Sequence, residues 1–206
     1  MTTNTSRRQA LTAAAAGLVA ALAACSKTET PAAPGAAPLP TSSAGGSGAA
    51  DTARQAYETA SRGSGFVVGQ AMAARSLLVF FDPQCPHCAQ LWTACKPLRE
   101  RVRMVWMPVA FLSPASAPQG AMLLAAADGT ALMDQHESLL SSGRGGLTAM
   151  GAADAEIAKV KANTELWKSL NANSVPHVIY RAGASGPYGV EPGVLPTAQL
   201  EKLLGL

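Results

Sequence analysis

Cys85-Pro86-His87-Cys88 sets two thiols three positions apart, with a proline and a histidine between them. On a helix that spacing puts both sulfurs on one face, close enough to form and break a disulfide. The apolar run 76–81 and the turn-forming pair Asp82-Pro83 stand directly before them. A strand is therefore expected to deliver the pair onto the first turn of a helix. There the first sulfur meets unpaired backbone N–H groups and the positive end of the helix dipole. Both favour a thiolate, lowering its pKa below the free value of about 8.5. Pro86 suits an early helical position because its missing N–H has no partner to lose there. His87 adds a second electropositive group beside the sulfur. The four residues are expected to form a redox centre, with Cys85 as the nucleophile and Cys88 as the resolving thiol.

Two rival uses of such a pair fit the sequence poorly. A c-type haem site needs His directly after the second cysteine, and Ala89 stands there. A structural zinc site wants a second ligand pair at similar spacing, whereas Cys95, His136 and His177 are scattered. No metal ligand set and no cofactor is expected. From a different functional class, an exported metallochaperone could carry copper(I) on the same two thiols. The absence of a Met-rich stretch or of an extra His/Cys cluster argues against it.

The N-terminus indicates where this chemistry takes place. Ser6-Arg7-Arg8-Gln9-Ala10-Leu11 is a charged start with a twin-arginine pair, and an Ala-rich stretch runs on to Ala24. That stretch is short for a membrane span and fits the apolar region of an export signal, residues 1–24. Ala10 occupies a position where twin-arginine signals carry something bulkier, so the general secretory route stays open. Leu22-Ala23-Ala24-Cys25 resembles a bacterial lipobox. The resemblance implies cleavage before Cys25, acylation of that cysteine and a membrane anchor on the periplasmic side. Removal of residues 1–24 takes away only Arg7 and Arg8 among charged side chains, lowering the net charge from +3 to about +1. Nothing in that balance suggests a nucleic-acid surface. Exported compartments are where disulfides form and persist, so a dithiol catalyst finds substrates there.

Residues 25–50 are Pro, Ala, Gly, Ser and Thr with almost no bulky apolar side chain. Such a segment buries too little surface to offset its ordering entropy and reads as a flexible linker. Residues 51–206 suit one domain with a core of its own. A short helix is expected over 51–62 with Asp51 as its cap, then strands at 65–69 and 76–81. A helix over 85–101 follows, and a strand over 102–108. The 76–108 stretch thus forms a parallel strand–helix–strand unit with the cysteines at a strand's C-terminal end. Helical patterns cover 118–140, broken near Asp128-Gly129, and 152–170. A strand over 176–180, an edge strand at 188–190 and a helix over 197–204 complete the order.

This order resembles the thioredoxin fold, an α/β architecture, with a helical insertion after the second strand of its central unit. Ser174-Val175-Pro176-His177-Val178-Ile179 carries the second half of the resemblance. Members of that superfamily open a strand with a cis-proline opposite the dithiol, which implies that Val175 and Pro176 form the substrate-binding loop. Proline alone makes a cis bond cheap, and a kink there can turn a backbone edge toward a bound peptide. Phe81-Asp82-Pro83-Gln84-Cys85-Pro86-His87-Cys88, with Trp92 following, looks like the catalytic domain of the periplasmic DsbC/DsbG group of thiol:disulfide interchange proteins. The dithiol sequence and the valine before the proline look more like DsbA, the disulfide donor. The DsbC/DsbG group carries an N-terminal dimerisation domain where this sequence shows a linker and one short helix. The resemblance implies a thiol:disulfide oxidoreductase acting as a monomer, with oxidase favoured over reductase and isomerase less so. It also implies protein thiol clients and a redox partner in the membrane.

Other residues have plainer readings. Cys95 stands seven positions after Cys88, about 10 Å along the helix axis and too far to bridge it. It reads as a buried core thiol, with a regulatory or metal role as the alternative. Asp82 either tunes the dithiol or forms the turn before Pro83. His177 either touches the active-site surface or is an exposed strand histidine. His136 is expected on a solvated helix surface. Trp92, Trp106 and Trp167 are expected in the core or at its boundary.

Overall fold

The computed structural model describes residues 45–206. The expected export signal, Cys25 and the linker up to residue 44 lie outside the described residues. Two helices and two strands come first: α1 (Gly45–Ala60), β1 (Phe66–Gly69), β2 (Arg75–Phe81) and α2 (Pro86–Cys95). A 3₁₀ turn (Lys96–Leu98) leads into β3 (Arg103–Pro108). Three helices follow, α3 (Ser116–Ala125), α4 (Gly129–Ser141) and α5 (Asp154–Ser169), and then β4 (His177–Ala182), β5 (Tyr188–Pro192) and α6 (Thr197–Leu204). The strands form one sheet in the order β1-β3-β2-β4-β5. Only β2 and β3 run parallel, joined by α2 as crossover; the other neighbours are antiparallel. This is an α/β thioredoxin fold with α3–α5 inserted between the parallel unit and the closing hairpin.

β2 is the central strand and carries no polar alternation, because both its faces are covered. Leu77, Val79 and Phe81 join a cluster with Leu91, Trp92, Cys95 and Leu200, from α2 and α6. Leu78 and Phe80 join Ala60, Trp167 and Ile179 on the opposite face. Trp92 and Trp106 meet edge to face with ring centroids 4.9 Å apart, and Phe81 lies 5.5 Å from Trp106. These aromatics fix the height at which α2 sits on the sheet. Arg99 lies over the Trp92 ring at 4.8 Å, while the Trp92 indole donates to Asp134 of α4 at 2.7 Å.

The predicted elements are present, with shifted ends. α1 begins at Gly45, well before the expected start, so Asp51 lies inside the helix and pairs with Arg54 instead of capping it. The long helix expected over 85–101 stops as an α-helix at Cys95 and tightens into 3₁₀ geometry at Lys96-Pro97-Leu98. Pro97 cannot donate an i→i−4 bond, which accounts for the change. Asp128 caps α4 by accepting from Ala131 N at 2.9 Å, which makes the expected break real.

Asn163 of α5 ties the sheet's entry to the insertion. Its amide nitrogen donates to Ser64 O (2.7 Å) and Pro108 O (3.0 Å), and its oxygen accepts from Ser64 N (2.8 Å). Removing all three bonds leaves buried backbone groups unpaired. Asn163→Ala is expected to destabilise the fold by about 2–4 kcal/mol, read as a lower urea midpoint with an unchanged denaturant slope.

Candidate redox site

The dithiol sits where β2 hands over to α2. Cys85 is the residue immediately before the helix, in extended geometry (φ −90, ψ 115), and Pro86 occupies the first turn. Cys85 N donates to Asp82 O at 2.9 Å, closing the turn. Cys85, Cys88 and Cys95 are all free, buried thiols, whereas Pro86 and His87 are exposed.

The two sulfurs of the pair have opposite environments. The Cys85 thiol is pulled down to about 6, first by the hydrogen bond from the Cys88 thiol. Burial opposes this, and the backbone N–H groups of Cys88 and His87, together with the nearby His87 charge, assist it. The Cys88 thiol is pushed far up, first by its burial and then by donating to and facing the negative sulfur of Cys85. One sulfur is thus ionised near neutral pH and its neighbour stays protonated. That is the asymmetry a thiol–disulfide exchanger needs: an attacking and leaving thiolate beside a resolving thiol. The pair's sequence spacing alone does not create it; the helix terminus and unequal burial do.

The loop before β4 closes over the same sulfur. β4 runs antiparallel to β2 with Phe80 opposite His177, so residues 174–176 reach the end of β2. The Val175–Pro176 peptide bond is cis, and Cys85 Sγ lies 3.6 Å from Val175 O. The dithiol turn and the proline loop, ninety positions apart in sequence, are in contact.

Three consecutive residues before Cys85 are each held by a side chain of the insertion. The Asp82 carboxylate is fully buried and accepts four bonds: from Gln84 N (2.9 Å), Ser116 Oγ (2.6 Å), Phe111 N and Leu112 N (both 3.0 Å). Pro83 O accepts from His136 Nε2 at 2.7 Å, and His136 Nδ1 accepts from Leu147 N at 3.2 Å. Gln84 donates to Gln119 Oε1 (2.6 Å) and to Gly145 O (3.0 Å), and Gln119 in turn donates to Gly145 O and Leu147 O. Burial lowers the pKa of His136, and a neutral ring matches its one donor and one acceptor role.

Residues 68–206 match the family described as a thioredoxin-like domain. The chain belongs to the thioredoxin-like family. Within it, the chain is 27% identical over 159 residues to the thiol:disulfide interchange protein DsbG of Pseudomonas aeruginosa, covering 76% of this chain. The chain spans 61% of the length of that relative. Among solved structures, the catalytic domain of Proteus mirabilis ScsC superposes with a TM-score of 0.58 at 17% identity, over 75% of this chain and 96% of that domain. A periplasmic thioredoxin-like protein from Salmonella enterica serovar Typhimurium does so with a TM-score of 0.58 at 16% identity, over 74% and 95%. At those identities the superpositions speak to the fold.

In this thioredoxin-like domain the sequence-selected residues separate into two groups. Cys85, Pro86, His87, Cys88, Val175 and Pro176 come together at one end of β2. Cys95 lies in the core, and burial raises its thiol to about 12, so it is inert. Asp82 takes the turn-forming role and extends it to the insertion. His136 is a correction: it is fully buried, because Gly129, Met133 and His136 share the inward face of α4. His177 is buried as well, neither exposed nor at the dithiol, since it neighbours Phe80 of β2, which points to the face away from Cys85. Gln119 and Glu137 carry no local sequence signal, and Gln84 is marked only by its place in the motif over residues 81–88. Among the described residues, no group of three or more His, Cys, Asp and Glu side chains could hold a metal ion.

In the reduced protein a thiolate absorbance is expected to titrate with a midpoint of about 6 and to vanish in Cys85→Ser. Because this pKa is depressed on folding, its stabilisation is complete above the unfolded value of about 8.5 and is lost as pH falls through about 6. Thermal unfolding of the reduced form against the oxidised form should show that loss between pH 8.5 and 5.5.

Proposed function

We propose that this chain is an exported, membrane-tethered thiol:disulfide oxidoreductase that exchanges disulfides with protein thiols through Cys85 and Cys88. The observation that carries the reading is the unequal pair itself: a thiolate held at the start of α2 beside a buried protonated thiol. The name borne by the Pseudomonas relative supports it.

The exchange follows from this pair's acid–base asymmetry. A client thiolate attacks Cys85 Sγ of the Cys85–Cys88 disulfide, and Cys88 leaves and takes up a proton, which its environment strongly favours. The client is now bound to Cys85. A second client thiolate attacks the client sulfur of this mixed disulfide, and Cys85 leaves as a thiolate. Two electrons pass from the client dithiol to the protein, and the client becomes the disulfide. Stabilising the Cys85 thiolate stabilises the reduced protein, so its disulfide is an oxidant. For that reason we place oxidation of clients ahead of reduction. Val175 O borders Cys85, and we assign it and the following Pro176 to binding of the client's extended backbone.

A protein acting this way needs a membrane redox partner to reset its disulfide. Our reading places it as a monomer on the periplasmic side of a bacterial membrane, anchored through Cys25. That last assignment rests on the sequence Leu22-Ala23-Ala24-Cys25. Mass spectrometry of the mature N-terminus should show an acylated Cys25 as the first residue, and an unmodified start elsewhere would remove the anchor from the reading.

Equilibration of the full chain with glutathione buffers should give a potential more oxidising than the glutathione couple. A strongly reducing value would reverse the direction, and the absence of any reversible disulfide would sink the oxidoreductase reading. Cys88→Ser should accumulate mixed disulfides with a disulfide-bonded peptide, which its Cys85 thiolate attacks, whereas Cys85→Ser should form none.

A further inference from the structure

A groove of about 430 Å³ runs alongside the redox turn. Gln84, Pro86 and Ala89 form one wall, and Glu137, Leu140 and Ser141 of α4 form the other. Glu137 is the acid in that groove, and its Oε2 is buried with no hydrogen-bond donor. The contrast with Asp82, which receives four donors, is complete. A buried carboxylate oxygen without a donor is costly when charged.

We propose that Glu137 is a positioning residue for the dithiol: a carboxyl with one buried, donorless oxygen, held across the groove from the redox turn, that sets the exchange equilibrium through its charge. This rests on the oxidoreductase reading above. Its surroundings supply the coupling. The groups that act on it are the Cys85 sulfur from the redox turn, Lys96 from the end of α2 and Asp134 one turn earlier on α4. Lys96 is itself paired with Asp134 at 2.9 Å, which leaves Glu137 without a counter-ion of its own. His136, the adjacent residue, faces Pro83 and Leu147 instead. Burial first, and then the negative sulfur of Cys85, push the Glu137 carboxyl up to about 7.

Coupling of this kind is reciprocal: if the Cys85 thiolate disfavours an ionised Glu137, an ionised Glu137 disfavours the thiolate by the same free energy. In the reduced protein near pH 6.5, Cys85 is a thiolate, Cys88 holds a proton and Glu137 holds a proton. Oxidation removes two electrons, forms the sulfur–sulfur bond and releases the Cys88 proton. It also erases the thiolate charge, so Glu137 ionises and releases a second proton. Two protons therefore accompany the two electrons up to about pH 7, beyond the value of about 6 at which Cys85 alone would end that regime. Above about pH 7 the ionised Glu137 faces the thiolate and weakens the protein as an oxidant.

The test is the equilibrium constant of the full chain against glutathione, measured from pH 5.5 to 8.5 for the wild type, Glu137→Gln and Glu137→Asp. In the wild type, the break from two protons per electron pair to one should fall near 7. Glu137→Gln should move it to about 6 and make the protein about tenfold more oxidising at pH 8, with less than about 1.5-fold change at pH 5.5. Glu137→Asp should keep the wild-type pH dependence. A Glu137→Gln effect of equal size at both pH values would mean a packing role and overturn the proposal. So would a wild-type break near 6, a result that needs no variant to fold. If the wild type fails to equilibrate with glutathione at all, the oxidoreductase reading falls and this inference falls with it. If it equilibrates normally and Glu137→Gln matches it throughout, only the role of Glu137 is lost.

Discussion

The carboxylate of Asp82 is the contact on which the rest of the site depends. It lies at the end of the central strand, without exposure, and takes four hydrogen bonds from three separate pieces of chain. One bond shapes the turn into α2, two hold the segment after β3, and one fixes the start of α3. A buried carboxylate is tolerated only when its acceptor sites are filled, so these pieces are obliged to converge. Cys85 is positioned by that convergence, since its own N–H closes onto Asp82 O.

From there the chemistry follows from unequal treatment of two like groups. Both sulfurs are buried, but Cys85 stands at the open end of α2 and Cys88 one turn inside it. The first collects donors, while the second is held up first by desolvation and then by its hydrogen bond to the charged Cys85 sulfur. Burial alone would raise both thiols. The donors at the helix terminus decide which sulfur carries the charge, and hence which attacks and leaves.

The inserted helices therefore do more than enlarge the domain. Ser116, Gln119 and His136 reach from α3 and α4 to Asp82, Gln84 and Pro83, the three residues that precede the nucleophile. The backbone of Gly145 and Leu147 completes this network from the loop after α4. Gly146 sits against the His136 ring, with φ +84, where a Cβ would fall 2.5 Å from Cε1. The close approach and the backbone conformation both call for glycine. A dithiol held this way is organised before a client arrives, which limits the ordering cost of exchange.

The sequence by itself determined the elements and the chemistry whose signals are local. The continuous apolar run of β2, the cysteine spacing of α2, Asp128 before α4 and Pro176 before β4 each act within a few residues, so each was legible. The thioredoxin-like order followed from them. What only the tertiary structure decided was every property that depends on who lies opposite. His136 is polar on a polar-looking helix, yet its partners Pro83 and Leu147 lie far from it along the chain and draw it inside. Asp82 before a proline reads equally as a turn, until Ser116 and the amides of Phe111 and Leu112 close on it. Glu137 looks like any exposed helix acid, and only the folded groove shows that one of its oxygens is buried without a donor. Burial, pairing and the resulting charge states are sums over neighbours brought together by folding, and no single stretch of the sequence contains them.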